Sequence, residues 1–144
     1  MIKAFPQWLL MFTLGCLAWS GCGPKGLPVI VVRGTVTCDG EEVETGGVRF
    51  VPIEGTKGPA SHSTIVNGKY RIEVRGGVPI GKHRVEVDAR RKTGKKVPTV
   101  TDQSILMEET VPVGPEAYAG RESPLVKEVT ANSNGKIDIE IPAR

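Results

Sequence analysis

The feature that most constrains this chain is a period of two in its apolar residues. Tyr70, Ile72 and Val74 alternate with Lys69, Arg71 and Glu73. Val85, Val87 and Ala89 alternate with Arg84, Glu86 and Asp88, and Ile137, Ile139 and Ile141 with Lys136, Asp138 and Glu140. Val48, Phe50 and Pro52 follow the same rule. Successive side chains of a strand point to opposite faces, so each stretch reads as a strand covered on one side only. No window of a dozen residues beyond the N-terminal region carries the 3.6-residue period of a helix.

Seven strands are expected, over 29–37, 47–53, 62–66, 69–74, 82–89, 125–130 and 136–141. Asn67-Gly68 is a two-residue hairpin turn, because both residues tolerate positive φ. Asp39-Gly40 and Gly76-Gly77 also read as turns, and Asn132-Ser133-Asn134-Gly135 is expected to join the last two strands as a pair. Short strands at this spacing, each with one apolar face, predict an all-β domain of two packed antiparallel sheets over 29–144. Val29 to Val32 is apolar on both faces, which suits a central strand or one covered by the insert at about 90–124. In that insert Gln103 to Thr110 fits a short strand or a turn of helix, and Pro115 fits the first position of a helical turn.

Residues 1–21 are of another kind. Lys3 is their only charge, and Trp8 to Trp19 is almost wholly apolar. A positive start, a short apolar stretch and small residues before a cut site describe an export signal. The run is short for a spanning helix, which needs about 20 apolar residues. Ser20 and Gly21 precede Cys22, and this resembles the lipobox of bacterial lipoproteins, with Trp19 where Leu is usual. The resemblance implies cleavage before Cys22, lipid on its thiol, and residues 22–28 as a short linker. Cys16 is the poorer candidate, because a shorter apolar run precedes it. The expected location is outside the cytoplasm, on the cell membrane or outer membrane, facing periplasm or exterior.

With residues 1–21 removed, 18 basic residues stand against 16 acidic ones, too even a balance for a nucleic-acid binder. Cys38 is then the one thiol besides Cys22. Arg90, Arg91, Lys92, Lys95 and Lys96 place five cations in seven residues. They read as a solvated loop or as a contact with anionic lipid headgroups or an acidic polymer.

Residues with chemical potential are scattered. His62 and His83 lack the spacing of zinc ligands, and His83 falls in register with Val85 and Val87, facing inward or lying at a strand edge. No G-x-S-x-G elbow or phosphate-binding Gly loop occurs. The expectation is a non-catalytic domain with no cofactor and no metal.

Val32-Arg33-Gly34-Thr35-Val36, Asp39-Gly40, and Gly46-Gly47 with Val48, Phe50 and Pro52 resemble the opening of small secreted lipoproteins abundant in Planctomycetes. Asn67-Gly68-Lys69-Tyr70, Ile80-Gly81-Lys82-His83-Arg84-Val85, Pro115-Glu116-Ala117-Tyr118 and Ser123-Pro124-Leu125 match later elements of that pattern, with Ile80 and His83 as departures. The family is similar to carboxypeptidase regulatory-like and transthyretin-like domains. The resemblance implies a seven-stranded Greek-key, prealbumin-like sandwich with a structural or binding role in the cell envelope, towards an envelope protein or polysaccharide. Two alternatives compete. A carbohydrate-binding module would need exposed aromatics, of which residues 22–144 hold only Phe50, Tyr70 and Tyr118. A transthyretin-like hydrolase would end in Tyr-Arg-Gly-Ser, whereas this chain ends Ile141-Pro142-Ala143-Arg144.

Overall fold

The computed structural model describes residues 26–144, and within them the chain is all-β apart from two 3₁₀ turns. Its strands are β1 (Val29–Ile30), β2 (Val32–Cys38), β3 (Glu41–Glu42), β4 (Thr45–Pro52), β5 (Ser61–Val66) and β6 (Lys69–Ile72), followed by β7 (Val78–Pro79), β8 (Gly81–Pro98), β9 (Leu106–Pro112), β10 (Val126–Val129) and β11 (Ile139–Ile141). The main sheet runs β10-β8-β4-β5-β6-β2-β11, with β3 added to β2 and β9 to β8, while β1 and β7 form a separate two-stranded piece. Every pairing is antiparallel except β11 on β2.

Local chemistry sets the turns. Asn67 and Gly68 sit at φ 48° and 72° and close the β5–β6 hairpin at Val66↔Lys69. Asp39 and Gly40, at φ 53° and 82°, close Cys38↔Glu41 in the same way. Mirror-image turns of this kind match the twist of the strands they join. β5 and β6 pair at that one register position, so the sheet bends there and curls around its apolar face.

The alternation decides what fills the curl. Val48 and Phe50 of β4, Val85, Val87 and Ala89 of β8, Ile65 of β5, and Tyr70 and Ile72 of β6 are buried together. Val32, Val36 and Cys38 of β2, Val43, Val78 of β7, Val129 of β10, and Ile139 and Ile141 of β11 complete the same cluster. Each large aliphatic or aromatic side chain so placed contributes about 1.5–3 kcal/mol by leaving water. The curl brings β11 against the chain beyond β8: a Cβ on Gly114 would lie 2.7 Å from Ile141 Cδ1 and 3.5 Å from Ala89 Cβ.

Several expectations need correction. The last two strands do not pair with each other. β10 takes its hydrogen bonds from β8, at Val126↔Arg84 to Val129↔Gly81, and β11 takes its own from β2, at the other end of the sheet. Each satisfies an edge that was open, and the segment between them crosses from one end to the other. Val74 does not share the core face of Tyr70 and Ile72. Arg75 adopts φ 56°, the chain leaves the sheet in the 3₁₀ turn Val74–Gly76, and Val74 is exposed. The first predicted strand breaks at Val31: Val29 and Ile30 pair with β7, so this stretch is not central. Pro115 is the N-cap of the turn Glu116–Ala119 rather than its first residue.

The largest difference lies in the insert. β8 does not stop at Ala89 but runs on to Pro98, and β9 returns alongside it from Leu106 to Pro112. The segment 90–112 is therefore a two-stranded ribbon, and its second strand covers most of the stretch where strand and helix were both open. A solvated loop would leave its backbone groups to water; here the ladder Arg90↔Pro112, Arg91↔Val111 and Lys92↔Thr110 pairs them.

Candidate functional site

The basic run of the sequence lies on the ribbon. Arg90 is half-buried at its root, with Nε donating to Thr110 Oγ1 at 2.9 Å and the guanidinium 3.5 Å from Asp88. Lys92 Nζ lies 3.1 Å from Glu108, and its backbone N–H donates to the Glu44 carboxylate at 3.0 Å. A register shift falls between Lys92 and Lys96, with Gly94 at φ 78°. Thr93 there donates to Glu109 at 2.7 Å. Arg91, Lys95 and Lys96 are exposed and make no ion pair among the described residues. Two of the five cations are thus tied to the body and the ribbon's own acids, and three face solvent.

The sequence reading missed a neighbouring feature. Val100, Ile105, Leu106 and Met107 are each more than half exposed, and they follow the basic run on the same ribbon. The run Ile105-Leu106-Met107, three large apolar residues in succession, was the available signal. From Arg91 to Pro112 no side chain is buried.

The remaining candidates are structural. His83 is fully buried beside Phe50, ring centroids 6.0 Å apart, with Nδ1 3.1 Å from the Gly81 carbonyl oxygen and Nε2 without a partner. Burial holds its pKa below the ordinary histidine value. His62 is exposed on β5. Cys38 is buried, with Sγ 3.4 Å from the Pro142 carbonyl oxygen; burial first, then Asp39 and Glu41, push its thiol pKa up and make the thiolate scarcer. Ser123 of the Ser-Pro-Leu element is buried and donates to the Val85 carbonyl, which fixes the approach to β10. Glu86, on the outward face of β8, is buried between Arg84 (2.8 Å) and Arg49 (3.6 Å). Among the described residues no group of three His, Cys, Asp or Glu side chains converges as a metal site.

The aromatic residues are committed to packing. Phe50 and Tyr70 are buried with centroids 6.2 Å apart, and Tyr118 is half-buried against the core. A groove of about 450 Å³ is lined by Leu27, Val29, Pro59, His62, Val74 and Pro79 among others, and is mainly aliphatic. Cys22 lies outside the described residues. Among those residues no helix is long and apolar enough to cross a membrane. No family model, curated protein or solved structure matches the chain.

Proposed function

We propose that this is an exported protein, lipid-anchored at Cys22, whose β-domain acts in the cell envelope by binding an anionic partner rather than by catalysis. The observation that carries this reading is the ribbon: Arg91, Lys95 and Lys96 are exposed and unpaired among the described residues, on an element that puts no side chain into the core. Export and anchoring are supported by the short apolar run and the Ser20-Gly21-Cys22 stretch. Two acyl chains hold a protein at a membrane stably where one does not. The resemblance to planctomycete lipoproteins supports the same placement, on the cell membrane or outer membrane. It also supports reading the curled sheet as a seven-stranded, prealbumin-like Greek-key sandwich: β10, β8, β4 and β5 in one layer, β6, β2 and β11 in the other, meeting at Val66↔Lys69.

The test is the intact mass of the protein extracted with detergent from its own envelope. A mass equal to residues 22–144 plus a diacylglyceryl group, with or without N-acylation, is the expected result. The mass of the full chain, or of an unmodified chain beginning near Cys22, would overturn the anchor.

A further inference from the structure

We propose that the end of the domain carrying Leu27, Val29 and Val74 seats on the bilayer that holds the chain at Cys22, with those side chains in the interfacial layer and Lys57 and Arg75 at the headgroups. The proposal rests on the reading that Cys22 bears the anchor, and it names the end of the domain that meets the membrane. Three segments far apart in the chain build that end. Val74 continues the alternation of Tyr70 and Ile72, yet the turn Val74–Gly76 puts it outside. Arg75 adopts φ 56° there, a conformation uncommon for a residue with a side chain. Val29 lies against the turn: a Cβ on Gly76 would be 2.8 Å from Val29 Cγ2. Leu27 lies against the loop before β5, where a Cβ on Gly58 would be 3.4 Å from Leu27 Cδ1. The aliphatic groove that they line leaves Leu27 47%, Val29 37% and Val74 71% exposed.

Two observations select the occupant. The first is reach. Gly26 lines the groove and follows Cys22 by four residues, so at most about 14 Å of extended chain separates them. Acyl chains on Cys22 therefore enter the bilayer beside this end of the domain. The second is charge. Over 57–62 and 71–79 the Lys, Arg, Asp and Glu residues are Lys57, Arg71, Glu73 and Arg75. Arg71 takes the one acid, Glu73, at 2.7 Å. Lys57 and Arg75 are exposed and make no ion pair among the described residues. Apolar side chains flanked by free cations suit a layer where acyl chains meet phosphates, because each cation keeps its charge at the headgroups while its stem lies on apolar surface.

The ribbon leaves the other end of the sheet. Pro52↔His83 and Thr45↔Arg90 are the two limits of the β4–β8 ladder. The groove residue Pro79 comes just before the first, and the ribbon just after the second. Gly81 and Arg91 are ten residues apart on β8, about 33 Å at a strand's rise per residue. With its groove end on the bilayer, the domain holds Arg91, Lys95 and Lys96 away from it. The anionic partner of the ribbon is then not the membrane that carries the anchor.

The test uses the fact that residues 22–144 contain no tryptophan. Val74→Trp places one probe at the groove end, and Met107→Trp places one on the ribbon; both positions are exposed, so neither change disturbs the core. Each protein, extracted from the envelope and checked by intact mass, is reconstituted in phosphatidylcholine–phosphatidylglycerol vesicles whose acyl chains carry bromine, which quenches tryptophan on contact. Emission of Val74→Trp should fall on the order of twofold against unbrominated vesicles, as an apolar surface reaching about 5–10 Å into the boundary requires. Emission of Met107→Trp should not change. Adding Leu27→Ser and Val29→Ser to Val74→Trp should remove most of the loss, with thermal unfolding as the control of folding. Loss at neither probe, in protein whose mass includes the lipid on Cys22, would overturn the proposal and leave the anchor standing. Equal loss at both probes, or loss at 107 alone, would also overturn it. A mass without lipid on Cys22 would end both readings.

Discussion

The hydroxyl of Tyr70 donates to the carbonyl of Ile137 at 2.6 Å, and so ties β6 to the segment that leads into β11. Tyr70 stands across the ladder from Gly34, where the missing side chain leaves room for that carbonyl. Ile137 N–H in turn donates to the Arg33 carbonyl at 2.8 Å. Thr35 holds Asp138 next to it, with N–H and Oγ1 at 2.9 and 3.0 Å from the carboxylate. β11 is therefore held in place by bonds to β2 and β6 from the two residues that precede it.

Tyr70→Phe keeps the packing on Phe50 and removes that one bond. The expected cost is about 1–2 kcal/mol, because a partly buried carbonyl loses its partner. Urea unfolding should show a lower midpoint at unchanged slope, and amide exchange over 139–141 should quicken. A midpoint equal to that of the parent chain would mean that water replaces the hydroxyl at no cost.

Gly34→Ala tests the same contact from the other side. Its Cβ would overlap the Ile137 carbonyl oxygen, which is backbone and cannot swing aside. The variant should lose about 1–3 kcal/mol or more, and loosen β11 before the rest of the sheet. Exchange that rises evenly over all strands would refute the local account.

His83 makes stability depend on pH. Burial keeps its imidazole neutral, with a folded pKa below the unfolded value of 6.5. Above pH 6.5 both states are neutral and the fold keeps its full stability. As the pH falls below 6.5, the unfolded chain binds a proton that the folded chain refuses. Stability then drops by up to about 1.4 kcal/mol per pH unit, levelling off below the folded pKa. In His83→Leu this component is gone, so the stability of the variant relative to the parent should rise between pH 7 and pH 5. A difference that is flat with pH would show that His83 titrates alike in both states.

The ribbon should be dispensable for folding. Replacing Thr93 to Glu109 with Asn-Gly joins Lys92 to Thr110, which already face each other on the ladder. No side chain in the removed stretch is buried, so thermal unfolding should change by less than about 1 kcal/mol. A large loss would mean that the ribbon supports the core.

Much of the fold was legible in local pattern. Tyr70, Ile72, Val85, Val87, Ala89, Ile139 and Ile141 face the core as their alternation requires, and Asn67-Gly68 turns as its two residues allow. Glu86 shows the limit of the pattern: it points outward as alternation demands, yet Arg84 and Arg49 close over it. Of the candidate site, the five cations were visible as a run. Their mounting on a strand was not, because β8 continues past Ala89 only where β9 supplies a partner twenty residues later.

By itself the sequence determined which side of each strand is apolar and where the tight turns fall, since both depend on neighbours one or two residues apart. Only the tertiary structure decided which strands pair. β10 and β11 read as one hairpin, yet they complete opposite ends of the curled sheet, because unpaired backbone on β8 and β2 and the contacts of Ile137 with Tyr70 and Arg33 outweigh the shorter loop. It likewise mounted the basic run on a strand, because β9 returns alongside β8 and pairs with it from Arg90 to Pro98.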